Sequence, residues 1–125
     1  MIKIHTEKAP AAVGPYSQAI VSKGMVYTSG QIAIDPVTNT VAGTTIEEQT
    51  EQIMRNLGAV LDTAGSGFDK AVKTTCFLAD MNDFAAFNEI YGKYFTSLPA
   101  RSCVAVKTLP KGVLAEVEVI AESTL

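Results

Sequence analysis

Along this chain the spacing of hydrophobic and polar positions changes period, and each period predicts an element. From Ile46 to Ala64 the apolar residues Ile46, Ile53, Leu57, Val60, Leu61 and Ala64 recur at helical spacing, with Glu47, Glu48, Glu51, Gln52, Arg55 and Asp62 between them. That pattern predicts an amphipathic helix whose second set of residues faces solvent. Thr44 and Glu47 stand at capping-box spacing before it, and Gly65 can adopt the left-handed conformation just past its end. A second helix is predicted from Asp83 to Phe95, where Phe84, Phe87, Tyr91, Tyr94 and Phe95 form an aromatic stripe suited to core packing. Asn88 lies on or beside that stripe, so its amide must find partners in the fold or in a ligand.

β-Branched residues concentrate at Ile2–His5, Ser17–Ser22, Met25–Ser29, Val72–Leu78, Arg101–Lys107 and Leu114–Ala121, which predicts strands there. The order β-β-β-α-β-α-β-β implies an α+β fold, a mixed sheet with both helices on one face. Val117 and Val119 point one way from the last strand, while Leu114 and Ile120 point the other. Two helices cover only one face of a sheet. A second copy of the chain is the simplest cover for the other.

At 125 residues, 47% of them hydrophobic and 18% charged, the chain is expected to form one ordered domain over residues 1–125. A net charge of −3 gives no attraction for a phosphate backbone, so no nucleic-acid partner is expected. The opening MIKIHTEKAP has no apolar core of a signal segment and no run reaches membrane-spanning length, so the expectation is a cytoplasmic protein without a membrane partner. Cys76 and Cys103 are too few for a disulfide framework and are read as free thiols. His5 is the only histidine, which excludes a metal site or a triad built on two imidazoles, and no glycine-rich phosphate loop occurs. No metal and no cofactor are expected.

The remaining vocabulary is carboxylate, guanidinium, phenol and backbone amide. Arg101 opens a strand on which Arg101, Cys103, Ala105 and Lys107 share a face, and its planar fork suits either a ligand carboxylate or a surface ion pair. Glu116 and Glu118 stand beside Leu114 and Ile120; partial burial would raise the proton affinity of either, whereas simple alternation would leave both in solvent. Gly14-Pro15-Tyr16 is a rigid turn that fixes the approach of the Tyr16 phenol. Thr28-Ser29-Gly30-Gln31 ends a strand in a glycine, where a ligand can approach the backbone closely.

Together APAAVGPYSQAI at Ala9–Ile20, TSGQI at Thr28–Ile32 and PARSCV at Pro99–Val104, followed by Leu109-Pro110-Lys111, resemble the RidA branch of the Rid family over essentially the whole chain. The resemblance implies a fold like that of trimeric chorismate mutases, with sheets packed into a central β-barrel and pockets between subunits. It implies an enzyme that hydrolyses 2-imino acids and their enamine tautomers, derived from short 2-amino acids, without a cofactor. It assigns Arg101 to the substrate carboxylate and places Tyr16, Ser29, Gly30, Asn88 and the backbone of Cys103 around the ligand. It selects Glu116, fifteen residues after Arg101, over Glu118 as the residue that handles water. Thr96-Ser97-Leu98 is shorter than the corresponding connection in many relatives, so the pocket rim is expected to differ. The alternative is a regulatory or chaperone module that binds small carboxylates in the same intersubunit pocket without turnover.

Overall fold

A computed structural model describes residues 1–125. Its strands are β1 (Ile2–Ile4), β2 (Ala19–Ser22), β3 (Met25–Thr28), β4 (Ile34–Asp35), β5 (Thr40–Val41), β6 (Ala71–Leu78), β7 (Ala100–Ala105) and β8 (Ala115–Glu122), with helices α1 (Ile46–Thr63) and α2 (Phe84–Tyr94). The predicted order holds, with one addition: the short β4–β5 hairpin, whose two-residue strands are too brief to show a period. The predicted strand Arg101–Lys107 ends at Ala105, so Lys107 leaves the face it was expected to share with Arg101.

The main sheet runs β1-β2-β3-β8-β6-β7, antiparallel except for the parallel pair β6–β7, which α2 connects. The last strand therefore lies in the middle. Ala115, Val117, Val119 and Ala121 of β8 are buried on the helix-covered face, opposite Leu78, Cys76 and Thr74 of β6. Ile53, Met54, Leu57, Val60 and Leu61 of α1, with Phe87 and Phe95 at α2, complete that core. On the other face Glu116, Glu118 and Ile120 are half-buried, next to Phe77, Thr75 and Tyr27. No closed barrel forms within the chain, whose sheet keeps β1 and β7 as edges.

The start of α1 differs by one residue from the predicted cap. Thr45, not Thr44, is the N-cap: its hydroxyl accepts from Glu48 N at 3.2 Å, and Glu48 Oε1 accepts from the amides of Thr44 and Thr45 at 3.2 Å each. Both pairs have the required spacing, and only Glu48 satisfies two orphan amides at once. Its carboxyl is accordingly held below the ordinary range, chiefly by the Thr44 amide. At the other end Gly65 takes φ 68°, as its position past the helix predicts.

Gln52, expected in solvent, is instead buried and donates through Nε2 to Asn56 Oδ1 at 2.9 Å. Asn56 Nδ2 donates in turn to Ile32 O at 3.1 Å and Ile34 O at 2.9 Å. Gln49 accepts from Leu114 N at 2.8 Å and donates to Gly43 O at 3.2 Å. Helix α1 thus carries a row of amides that ties the segment after Gly30 and the entry to β8 into the core. Asn56→Ala leaves the Ile34 carbonyl and the Gln52 amide donor without partners, and Ile32 O with only the Ile34 amide. Chemical denaturation is expected to show a loss of about 2–4 kcal/mol, whereas Glu47→Ala, in solvent beside the true cap, changes stability by less than about 0.5 kcal/mol.

Candidate active site

The sequence-selected residues fall into two groups. The first lines a cavity of about 460 Å³ that includes Tyr16, Gly30, Gln31, Pro110, Lys111 and Glu116. Tyr16 N donates to Gly14 O at 2.9 Å across Pro15, closing a tight turn that leaves the ring half in solvent at the cavity. Gln18, buried just beyond, accepts from Thr6 N at 2.7 Å and donates to Pro10 O at 2.8 Å, which anchors the segment carrying Tyr16.

Gln31 and Val117 exchange two backbone hydrogen bonds, at 2.9 and 3.1 Å, and so fix Gly30 against Glu116. A Cβ on Gly30 would meet the Glu116 carboxylate, so any larger residue here would displace that side chain from its present position. Gly30 N has no backbone acceptor. Burial raises the proton affinity of Glu116, and the neighbouring charge of Glu118 adds to it. Ser29 stands beside this group, but its hydroxyl donates to Ser17 O at 2.6 Å, joining the two loops that frame the cavity.

The second group is Arg101, Asn88 and Cys103. Parallel pairing sets Arg101 beside Thr74 and Cys103 beside Cys76, on the helix-covered face. Arg101 Nη1 donates to Asn88 Oδ1 at 2.7 Å, and the guanidinium carbon lies 4.8 Å from the Tyr91 ring centroid and 5.4 Å from that of Phe84. The expected alternative of a surface ion pair does not occur: the partners of Arg101 are neutral. Both thiols are free and stay protonated, since burial pushes Cys76 up to about 12 and also raises Cys103 against the opposing charge of Arg101.

The separation of the two groups follows from register. Arg101 pairs with Thr74 and Glu116 with Phe77, three residues along β6 and so on the opposite face. One chain does not bring them together.

A family model described as endoribonuclease L-PSP matches residues 6–123. The chain belongs to this family, the Rid family. A RutC family protein of Synechocystis is 56% identical over 121 residues, covering 94% of this chain and 93% of that protein. Mouse 2-iminobutanoate/2-iminopropanoate deaminase is 49% identical over 119 residues, covering 94% of this chain and 88% of the mouse protein. Among solved structures, Escherichia coli TdcF with bound serine superposes with a TM-score of 0.93 at 38% identity, covering 99% of this chain and 100% of that one.

Within this Rid chain the helical pattern alone gives no role to Gln49 or Asn56 and puts Gln52 in solvent, yet Asn56, bonded to Gln52, holds the carbonyls of the cavity residues Ile32 and Ile34. Their signal was present: Gln49 and Asn56 sit at helical spacing from Ile46, Ile53 and Val60, on the buried stripe. Lys111 was noted only within a motif; its φ of 57° belongs to the tight turn Pro110–Gly112 at the cavity wall.

Glu116 makes a pH-dependent contribution to stability. Because its carboxyl is raised in the fold, the folded chain keeps the proton to higher pH than the unfolded chain. The stability associated with that proton is present below the unfolded carboxylate value and is lost as pH rises through the raised folded value. Glu116→Gln is therefore expected to melt above the parent near pH 7, with the difference closing as pH falls towards roughly 4. Thermal melts of both proteins across that range check it, and a variant less stable than the parent at neutral pH refutes it.

Proposed function

We propose that the chain hydrolyses 2-imino acids derived from short 2-amino acids, and their enamine tautomers, to 2-oxo acids and ammonia, in a homotrimer whose sites are shared between copies. The observation that carries this reading is the presence, on one chain, of a guanidinium with only neutral partners and a cavity carboxyl whose proton affinity burial has raised. The first is a free anion grip. The second is a carboxyl that holds its proton more tightly than an exposed one, as a proton shuttle needs.

In a 2-imino acid the carboxylate carbon is bonded directly to the imine carbon, so grip and proton shuttle must stand a few ångströms apart. Arg101 and Glu116 lie on opposite faces of one sheet, which favours Arg101, Asn88 and Cys103 of one copy meeting Tyr16, Gly30 and Glu116 of the next. Such a contact joins two different patches, and repetition of it closes a ring. The half-buried open face with Tyr27, Phe77 and Ile120 supplies apolar surface for the assembly.

Within the shared site Arg101 holds the substrate carboxylate through paired hydrogen bonds. Glu116 takes a proton from water as the oxygen attacks the imine carbon, then returns a proton to nitrogen so that ammonia leaves and the 2-oxo acid remains. Positioning supplies the rest of the acceleration that an already hydrolysable bond needs. The alternative, a carboxylate-binding regulatory or chaperone module, requires the Arg101 grip but has no use for the proton shuttle at Glu116.

Hydrolysis of 2-iminobutyrate, generated by a coupled dehydratase, tests the reading. Glu116→Gln is expected to lower turnover by roughly two to four orders of magnitude while keeping affinity for 2-oxobutyrate. Arg101→Lys is expected to lose that affinity because the fork is gone. A parent that binds the oxo acid and never accelerates hydrolysis would favour the regulatory module. Sharing between copies has its own test: inactive Arg101→Ala and inactive Glu116→Gln chains, unfolded and reassembled together in equal amounts, are expected to regain roughly a quarter of parental activity in a random cyclic assembly. No recovery in mixed assemblies of confirmed trimeric mass refutes the shared site.

A further inference from the structure

Phe84, Asn88 and Tyr91 are spaced four and three apart, so they form a single stripe along α2, and Arg101 of β7 reaches all three. Its guanidinium carbon lies over two rings, at 5.4 Å from the Phe84 centroid and 4.8 Å from that of Tyr91, while one nitrogen is taken by the Asn88 oxygen at 2.7 Å. The Tyr91 ring is itself held: its hydroxyl shares a hydrogen bond of 2.7 Å with that of Thr74, and its face stacks on Phe95 at 4.6 Å and 25°.

A carboxylate partner would orient the guanidinium equally well, but it would also neutralise the charge and occupy the donor edge that a ligand carboxylate needs. Ring faces attract a cation through their quadrupole and accept none of its in-plane N–H donors. The aromatic stripe does more than fill the core.

We propose that Phe84 and Tyr91 are positioning residues that clamp the Arg101 guanidinium in the orientation that receives a small 2-oxo or 2-imino carboxylate. The inference rests on the carboxylate-binding role proposed above for Arg101, and it adds the residues that hold that group without spending its charge.

The test compares Phe84→Leu, Phe84→Tyr, Tyr91→Leu and Tyr91→Phe with the parent, in the full assembly. Calorimetry gives the affinity for 2-oxobutyrate, and the coupled assay gives KM and kcat for 2-iminobutyrate. Each leucine variant is expected to weaken affinity and raise KM by about three- to thirtyfold, with kcat changed much less. Phe84→Tyr is expected to stay within about twofold of the parent because the ring face is kept, and Tyr91→Phe to lose clearly less affinity than Tyr91→Leu, since it keeps the ring and gives up only the Thr74 hydrogen bond. Phe84 is half-buried at the first turn of α2, so its leucine variant retains the fold even where Tyr91→Leu does not.

Leucine variants that bind like an active parent overturn the clamp and leave the enzyme reading standing. The same holds for aromatic variants that lose as much affinity as the leucine ones, since the loss then follows packing rather than the ring. A parent that binds 2-oxobutyrate in a ring-dependent way without hydrolysing the imine supports the clamp and overturns the enzyme. A parent that binds neither compound overturns both.

Discussion

The alternation of side chains along the paired central strands of the sheet is the constraint on which the rest of this structure depends. Once β8 lies between β3 and β6, its odd-numbered residues are committed to the core and its even-numbered residues to the open face. Glu116 is thereby lifted out of the core into a cavity lined by the Gly30 and Tyr16 segments. The same ladder, extended through β6 to β7, sends Arg101 beneath α2. A one-residue slip would exchange all these positions, and the buried valines of β8 oppose it because they would move into water.

Around that ladder buried amides hold the irregular segments in place. Gln18 anchors the N-terminal segment, Asn56 the segment after Gln31, and Gln49 the entry to β8. Each such group is costly to bury without partners, and every buried side-chain nitrogen and oxygen in the chain has one. Satisfaction at these points gives the Gly30 loop a defined position against Glu116, where glycine is the residue that leaves room for the carboxylate. Regular strands set the faces, and the amides set the walls.

The electrostatics of the two residue groups differ. Arg101 retains a full charge among neutral groups, while Glu116 is biased towards its protonated form by burial and by Glu118. The nearby thiols remain neutral and do not compete for the guanidinium.

The sequence by itself determined both long helices, the strand order along the chain and which residues share a strand face with Arg101 and with Glu116, because periods of 3.6 and 2 are local properties of the backbone. It also exposed the motifs that mark the Rid family. It pointed to the wrong capping pair for α1, since Thr44 with Glu47 and Thr45 with Glu48 have the same spacing and only three-dimensional reach separates them. Gln52 looked like a surface residue because helical spacing alone cannot show that Asn56 and the carbonyls of Ile32 and Ile34 lie within reach of that flank. The position of β8 in the middle of the sheet, and with it the division of the site between two faces, was decided only by tertiary structure. Strand neighbours are chosen by pairing between residues far apart in the chain, and no local period carries that information.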